Sequence, residues 1–466
     1  MIPVVTPAEM AGVDSRAPEP VEMLVERAGY GAARAARRLL GGAYGRRVTV
    51  VAGRGNNGAD GRAAARVLTR WGAAVVVVDA GASGPVGGFG DLLIDAAYGT
   101  GLSRPYQPPD PCGVPVLAVD IPSGLSGLTG RPVGGPDAAG GAMRAVRTVT
   151  FAALKPGLLL GDGPDYCGAV EVAGIGLESL AEAAASAWLV TDSDVARLWP
   201  GRPRNSHKWQ SAVQVVGGSA NMHGAPWLVA QGALRAGAGY ARVGIPGAPP
   251  GGGLPPGEQV TFELPAQGWD KVAAEAAGRV RALVVGPGLG DPDGAGKESS
   301  VARLLGAAAD VPAVVDADAI RALGDMGTVA AVGRGRRADM VLTPHDGEFA
   351  RLTGHAPGDD RLADVRAVAA ECGVVVLLKG STTTVAAPDG RALLVNAGSS
   401  RLATAGTGDV LSGTIGAFLA RGLPVMEAAA LGAHAHGRAA SLGAAEGLVA
   451  FDLPELISEW LSVVTE

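Results

Sequence analysis

Arg47-Val-Thr-Val-Val-Ala-Gly53 runs into Arg54-Gly-Asn-Asn-Gly-Ala-Asp-Gly61, and that into the segment Arg62 to Trp71. The first piece is an apolar run of strand length, the second supplies glycines and short polar side chains, and the third suits a helix. Strand, glycine-rich turn and helix in this order build the phosphate-cradling corner of doubly wound α/β sheets, where backbone N–H groups at a helix N-terminus point at an anion. The spacing matches neither the dinucleotide fingerprint nor the P-loop. Asn56, Asn57 and Asp60 would also serve an ordinary turn.

Working outward, residues 21–40 place Met23, Leu24, Ala28, Ala32, Ala35, Ala36 and Leu39 on roughly one face, with arginines largely elsewhere, which predicts an amphipathic first helix. Further strands are expected at 74–79, 92–96, 116–121, 147–152 and 170–173. The turns after two of them, beginning at Asp95 and Asp120, bring Asp95, Asp120 and Ser123 to carboxyl ends of strands, where open α/β sheets bind ligands. Three such oxygen-bearing groups can hold a metal ion or a ribose; singly, each is equally a cap or turn residue. The connectors at 81–90 and 103–115 are short, and the second is rich in proline. A parallel crossover needs a dozen or more residues, generally with a helix, so two helices of an ordinary sandwich are expected to be missing.

Residues 178–190, rich in alanine, read as a linker, followed by a helix cap at Thr191-Asp-Ser-Asp194 and a short helix at 195–200. The expected domains are 1–188 and 189–466. Strands expected at 212–216, 243–245, 282–285, 311–315, 340–342 and 374–378 alternate with Ala/Leu-rich helices, one of them at 226–236, which argues for a second parallel sheet. Polar motifs follow the strands: Gly286-Pro-Gly-Leu-Gly290, Asp316-Ala-Asp-Ala319, Thr343-Pro-His-Asp-Gly-Glu348 and Lys379-Gly-Ser-Thr-Thr383. Last comes Thr404-Ala-Gly-Thr-Gly-Asp409, small residues leading into an apolar helix, which makes an anion hole at the helix's positive end. Asp409 there can take a proton from a hydroxyl while amides and a metal ion hold a phosphoryl group, or it can be a plain cap. Lys379 supplies a point charge for a phosphate, and His345 stands beside Glu348. His434 and His436, with no acidic partner nearby on their helix, read as packing residues.

The chain's 466 residues fit two or three domains, and 47% hydrophobic with 4% aromatic content suits tightly packed α/β layers. A net charge of -6 carries no basic footprint for nucleic acid. Cys112, Cys167 and Cys372 are too scattered for a zinc site and too few for a disulfide framework. No apolar run reaches bilayer length and no export segment is read, so a cytoplasmic protein is expected.

Leu24-Val-Glu-Arg-Ala-Gly29, GRGNNGADG at 53–61, IDAAYGTGL at 94–102, VDIPSGL at 119–125 and Thr148 to Gly157, in this order, resemble the NAD(P)H-hydrate epimerase family. The resemblance implies that Asn56, Asn57, Gly58, Ala59 and Asp60, with Gly99, Thr100, Gly101, Leu102, Ser103, Arg104 and Pro105, contact the hydrate's nucleotide. It also implies a potassium ion among Asn57, Asp95 and Ser123, with Asp120 at the reacting nicotinamide end, assisted by Lys155. A glycine is usual in the family where Ala59 stands. From His207 onward the motifs resemble the ADP/ATP-dependent NAD(P)H-hydrate dehydratase of the ribokinase-like superfamily. Ala225, Gly288, His345 and Asp409 would line the hydrate pocket, while Lys379, Gly380, Ser381, Thr382, Thr383 and Gly408 would hold the adenine nucleotide. Trp209 occupies a usual glycine position, where an indole would reshape the entrance.

Together these resemblances imply an α/β protein with a trimmed N-terminal Rossmann-like α/β/α sandwich and a C-terminal ribokinase-like α/β/α domain. It would interconvert the R and S hydrates of NADH or NADPH and dehydrate the S form, with Mg2+, K+ and ADP or ATP as phosphoryl donor. Small-molecule substrates and a homo-oligomer are expected, with no nucleic acid or membrane. The rival readings are a small-molecule kinase of the same superfamily, and an N-terminal domain that binds nucleotide without catalysis.

Overall fold

The apolar runs form strands whose order creates two strand-end crevices. The structure, a computed structural model, describes residues 1–466 except 82–85, 87–89, 135–140, 250–252, 291–294 and 297. It divides into one unit of residues 2–187 and another of residues 188–466 with Met1.

The first unit runs β1 (Ile2–Val4), α1 (Pro7–Ser15), α2 (Val21–Leu40), β2 (Arg47–Ala52), α3 (Asn56–Arg70), β3 (Ala74–Asp79), β4 (Leu92–Ala96), β5 (Val116–Val119), β6 (Arg147–Phe151), α4 (Gly163–Cys167), β7 (Ala169–Ala173) and α5 (Glu178–Ala184). Strands β2 to β7 form a parallel sheet in the order β3-β2-β4-β5-β6-β7. The chain steps outward from β2 to β3 and then returns past β2 to β4, so the switch point lies between β2 and β4.

Strand alternation decides how the two faces are covered. Val48, Val50, Leu92, Ile94 and Leu117 join the core with Ala28, Ala32 and Leu68 of α2 and α3. Val51, Leu93, Val116 and Ala118 point the other way and meet Tyr106, Met143 and Ala145. Residues 97–115 contain no helix, so irregular chain covers that face where a helix was expected to be missing. The connector at 81–90 lies largely outside the described residues. On the sheet edge Val76, which pairs with Thr49, stays 61% exposed.

The stretch 178–190 is not the linker expected of it. Alanine-rich sequence favours helix, and the stretch forms α5 and β8 (Ala187–Leu189), with Leu177 and Ala181 fully buried in the first unit's core.

The second unit continues with α6 (Asp192–Leu198), β9 (Ala212–Val216), α7 (Gly224–Arg235), β10 (Tyr240–Gly244), β11 (Val260–Thr261), α8 (Trp269–Ala277), β12 (Ala282–Val285), α9 (Ser300–Ala307), β13 (Ala313–Val315), α10 (Asp318–Leu323), α11 (Met326–Arg334), β14 (Met340–Leu342), α12 (Asp346–Thr353), α13 (Arg361–Cys372) and β15 (Val375–Leu378). Then come β16 (Thr383–Ala386), β17 (Ala392–Val395), α14 (Thr407–Ala420), α15 (Val425–Leu442) and α16 (Leu453–Val464). The sheet is ordered β17-β16-β15-β14-β13-β12-β9-β10-β11; β9 to β15 are parallel, and β16 and β17 run antiparallel as a hairpin.

Helix α14 is apolar nearly all round and lies in the core, as such a helix must. It packs on α7 backbone to backbone: a methyl on Gly413 would sit 2.0 Å from the Val229 carbonyl oxygen, and one on Gly232 2.6 Å from that of Val410. No helix among the described residues is long and apolar enough to cross a membrane.

Candidate active sites

The first site is at the predicted corner. Gly55, in extended conformation, precedes α3 and supplies no side-chain cap, which leaves the first N–H groups of the helix for a ligand. A cavity of about 690 Å³ opens there, walled by Asn56, Asn57, Asp60, the loop Gly99 to Arg104, Asp120 and Lys155. Gly58, Ala59 and Pro105 are not on its wall. Gly58 is needed for packing, because a methyl there would sit 1.9 Å from the Gly53 carbonyl oxygen.

Lys155, 2% exposed, pairs with Asp120 Oδ1 at 2.8 Å and donates to Thr150 Oγ1 at 2.9 Å and the Phe151 carbonyl at 3.1 Å. Thr150 Oγ1 in turn donates to Asp120 Oδ1 at 3.0 Å. Asp120 is held in the left-handed region, φ 66°, a costly conformation that clusters at functional sites. Asp95 is fully buried and accepts from Ser123 N at 2.7 Å and Ser123 Oγ at 2.6 Å. Burial pushes its carboxyl up to about 6 against those bonds. Asp60 is pushed up to about 8, by burial first and then by Asp120 and Asp14.

Asn57 has both side-chain amide atoms buried without a hydrogen-bond partner. A methyl on Gly99 would lie 3.5 Å from Asn57 Cβ and 3.4 Å from Asp120 Oδ2, so these two side chains flank that glycine. Asp14 also lines the cavity and went unnoticed in the sequence. The signal that locates α1 was present: Thr6 and Glu9 form a capping box.

The second site gathers at α14. Gly406, at φ 90°, turns the chain into the helix without a side-chain cap, and Asp409 sits in the first turn. Burial raises Asp409 to about 7, with Asp316 adding to the rise and Lys379 opposing it. Lys379 Nζ pairs with Asp316 Oδ1 at 2.8 Å, and Ser412 Oγ donates to Asp316 Oδ2 at 2.6 Å. Burial works against charge on Lys379, yet Asp316 and Glu348 raise its value above the ordinary one. A methyl on Gly408 would be 3.6 Å from Lys379 Nζ. Arg361 donates to both oxygens of Asp346, at 2.7 and 3.1 Å, and to the Lys379 carbonyl at 3.1 Å. Gly380, Ser381 and Thr382 form the turn between β15 and β16, and Thr383 opens β16. Asp316 and Arg361, which brace the lysine, were not singled out from the sequence.

Ala225 and Gly288 meet: a methyl on Gly288, at φ 69°, would be 3.0 Å from Ala225 Cβ. His345 Nδ1 accepts from Gly347 N at 3.0 Å and Glu348 N at 3.3 Å, capping α12. That places its proton on Nε2, 3.5 Å from Glu348 Oε1.

Two expectations change, and a third stands. Trp209 packs against Tyr240 with ring centroids 4.6 Å apart and under the Arg279 guanidinium. It thus sits where β10 begins, at the opposite end of the sheet from Asp409. His434 does have an acidic partner, Asp192 Oδ1 at 2.7 Å, supplied by α6. Burial pushes His436 down to about 4, and its ring makes a hydrogen bond with the Thr407 backbone, so it braces the start of α14.

Two units, each with a largely parallel sheet, a helix N-terminus without a side-chain cap and a lysine–aspartate pair beyond a strand end, make up a two-domain α/β protein. Residues 213–462 match the family described as NAD(P)H-hydrate dehydratase, and residues 21–86 and 88–157 match the YjeF-related protein N-terminus. The bifunctional NAD(P)H-hydrate repair enzyme Nnr of Mycobacterium tuberculosis is 40% identical, the match covering 87% of this chain and 86% of that protein. The enzyme of the same name from Salinibacter ruber is 35% identical, with 98% and 95% covered. A solved hypothetic protein from Streptococcus mutans shares the fold of the C-terminal part, with TM-score 0.50 and 22% identity over 60% of this chain and 100% of that one. The chain belongs to the bifunctional NAD(P)H-hydrate repair enzyme family.

Proposed function

We propose that the C-terminal unit dehydrates S-NADH or S-NADPH hydrate at the cost of ADP or ATP, and that the N-terminal unit interconverts the R and S hydrates. The observation that carries the first part is Asp409: a half-buried carboxylate raised to about 7, at an uncapped helix N-terminus, on the same side of the sheet as Lys379. Asp409 takes the proton of the ring hydroxyl, whose oxygen bonds to the terminal phosphorus of the nucleotide as the bridging P–O bond breaks and AMP, or ADP from ATP, leaves. The N–H groups of Thr407 and Gly408, together with Lys379, balance the charge that develops. Phosphate then leaves with the C–O electron pair, a ring proton is lost, and the double bond of the reduced nicotinamide returns. Ala225, Gly288 and His345 line the hydrate pocket; Gly380 to Thr383 and Gly408 hold the nucleotide. No group of three His, Cys, Asp or Glu side chains among the described residues forms a metal cage. Mg2+, if carried in on the nucleotide's phosphates as is usual for that ion, would supply charge neutralisation there beside Lys379 and the N–H groups of Thr407 and Gly408.

In the N-terminal unit Asn56, Asn57 and Asp60 with the loop Gly99 to Arg104 form the corner that receives the hydrate's nucleotide, with Asp120 and Lys155 at the reacting ring. Asn57, Asp95 and Ser123 offer an oxygen-only donor set, and the unpartnered Asn57 amide leaves one oxygen free, which fits K+. Bound there, the ion would fix the loops after β4 and β5.

Purified R and S hydrates incubated with the intact chain, with and without ADP or ATP and Mg2+, test the reading. NADH formed only with nucleotide, from both epimers, is the expected result. A lasting phosphorylated hydrate would instead make the C-terminal unit a kinase, and unchanged R hydrate would make the N-terminal unit a binding module.

A further inference from the structure

Phe451 is 65% exposed, yet its ring is ordered against another: it stacks on Trp227 with centroids 5.5 Å apart and planes 7° apart. The indole Nε1 of Trp227 is buried and has no hydrogen-bond partner. The outer face of Phe451 is in water, with Met222 and Val449 also exposed, at 47% and 48%.

The position of the pair gives the exposure a meaning. Trp227 lies two residues beyond Ala225 on α7. Ala450, next to Phe451, touches the mouth of α14: a methyl on Gly406 would meet Ala450 Cβ at 3.0 Å and Leu228 Cδ1 at 2.7 Å. Met222 closes on Gly288, whose added methyl would be 3.0 Å from the Met222 carbonyl oxygen. The aromatic pair therefore stands at the rim of the hydrate pocket, on the β9 side. The nucleotide-holding turn follows β15, four strands away in the sheet, or about 19 Å at ordinary strand spacing. A ring stacked on Phe451 belongs to the hydrate rather than to the phosphoryl donor. The hydrate is a dinucleotide with a second flat ring at the end remote from the reacting one.

We propose that Phe451, backed by Trp227, is a platform on which the adenine ring of the hydrate stacks, so that the C-terminal site holds its substrate at both ends. The proposal rests on the hydrate reading of that site. Every base has a flat face, and a single aromatic platform contributes enough to change affinity tenfold or more.

The test compares two substrates in the intact protein with ADP and Mg2+: S-NADH hydrate, and the S hydrate of reduced nicotinamide mononucleotide, which lacks adenine. Phe451→Ala is expected to raise KM for the dinucleotide about tenfold, with kcat unchanged and KM for the mononucleotide unchanged. Phe451→Tyr, which keeps a flat ring, is expected to behave as the parent. Equal loss with both substrates, or no loss with either, overturns the platform while leaving the hydrate reading intact. If the unaltered protein restores neither substrate, the hydrate reading falls and the platform with it.

Discussion

The two units solve one problem twice, with different support. In each, a lysine at a strand end is consumed by one aspartate, Lys155 by Asp120 and Lys379 by Asp316, both at 2.8 Å. A further carboxylate, the buried Asp60 or the half-buried Asp409, is left at a raised value of about 8 or about 7. Loss of water contact raises both first, and the neighbouring acids, Asp120 and Asp14 or Asp316, add to it, so a proton stays on the site near neutral pH. The units differ behind the loops. The C-terminal site rests on α14 and α7, locked backbone to backbone, whereas Gly99 to Arg104 of the N-terminal site run into irregular chain that does the work of a missing helix layer. The comparison teaches that a strand-end site needs its sheet order and its turns, and that the covering layer can be rebuilt from loop.

The largest effect is expected at the rigid site. Asp409→Asn should reduce dehydration by about 10³-fold while leaving ADP affinity within about twofold. The raised value also fixes a sign: Asp409 contributes full stability below its ordinary 3.8 and loses it as pH rises toward about 7. The same variant should therefore melt at a higher temperature than the parent at pH 8 and gain little at pH 4. Near-parental turnover in a stopped assay of NADH formation would remove Asp409 as the base.

Lys379→Ala comes next. It should weaken ADP binding by about 10- to 100-fold, because the point charge facing the phosphates is lost. It also strands the fully buried Asp316 without its cation, at a cost on the order of 3 kcal/mol. Calorimetric titration giving unchanged ADP affinity would refute the phosphate role, and unchanged melting would refute the structural one.

A pH profile then tests Asp409 directly. Dehydration should rise about tenfold per pH unit up to about 7 and level off above it, as Asp409 loses its proton. A flat profile between pH 5 and 7 would contradict Asp409 as a base that titrates near 7.

The loop-built layer is expected to give the smallest catalytic change. Tyr106, 7% exposed and edge-on to Tyr98 at 5.1 Å, pins the chain next to Gly99 to Arg104. Tyr106→Ala should slow epimerisation a few-fold, roughly the cost of small misplacement, and leave dehydration of pure S hydrate untouched. Equal slowing of both activities would mean that the effect is general destabilisation rather than local support.

Much of this was legible because periodicity and turn chemistry are local. The helix Val21–Leu40 follows from its apolar stripe, and the corner after β2 from its glycines. What escaped depended on partners far away in sequence. Asp316 was visible only as a polar turn, since its value as a site residue comes from Lys379, 63 positions on. His434 looked partnerless because its acid lies 242 residues earlier. The β16–β17 hairpin was overlooked although Pro388-Asp-Gly390 is a turn signal between two apolar runs. There the Lys-Gly-Ser-Thr-Thr motif drew the reading toward a ligand loop. Alanine misled in the other direction, since 178–190 looked like a spacer and forms a buried helix.

The α7–α14 contact also limits how this chain can be made more robust. It contains 73 glycines, and each adds disorder to the unfolded state that folding must remove. In α1, Gly12 has nothing within 4 Å of an added methyl, so Gly12→Ala should raise stability by about 0.5–1 kcal/mol. The same exchange at Gly413 would drive a methyl to within 2.0 Å of the Val229 carbonyl and pry apart the helices that carry Ala225 and Asp409. Melting curves of the two variants should move in opposite directions, and a gain at Gly413 would mean that the helices are free to separate. Gly413 thus carries the same unfolded-state penalty as Gly12, but its bare backbone is what lets α7 and α14 meet.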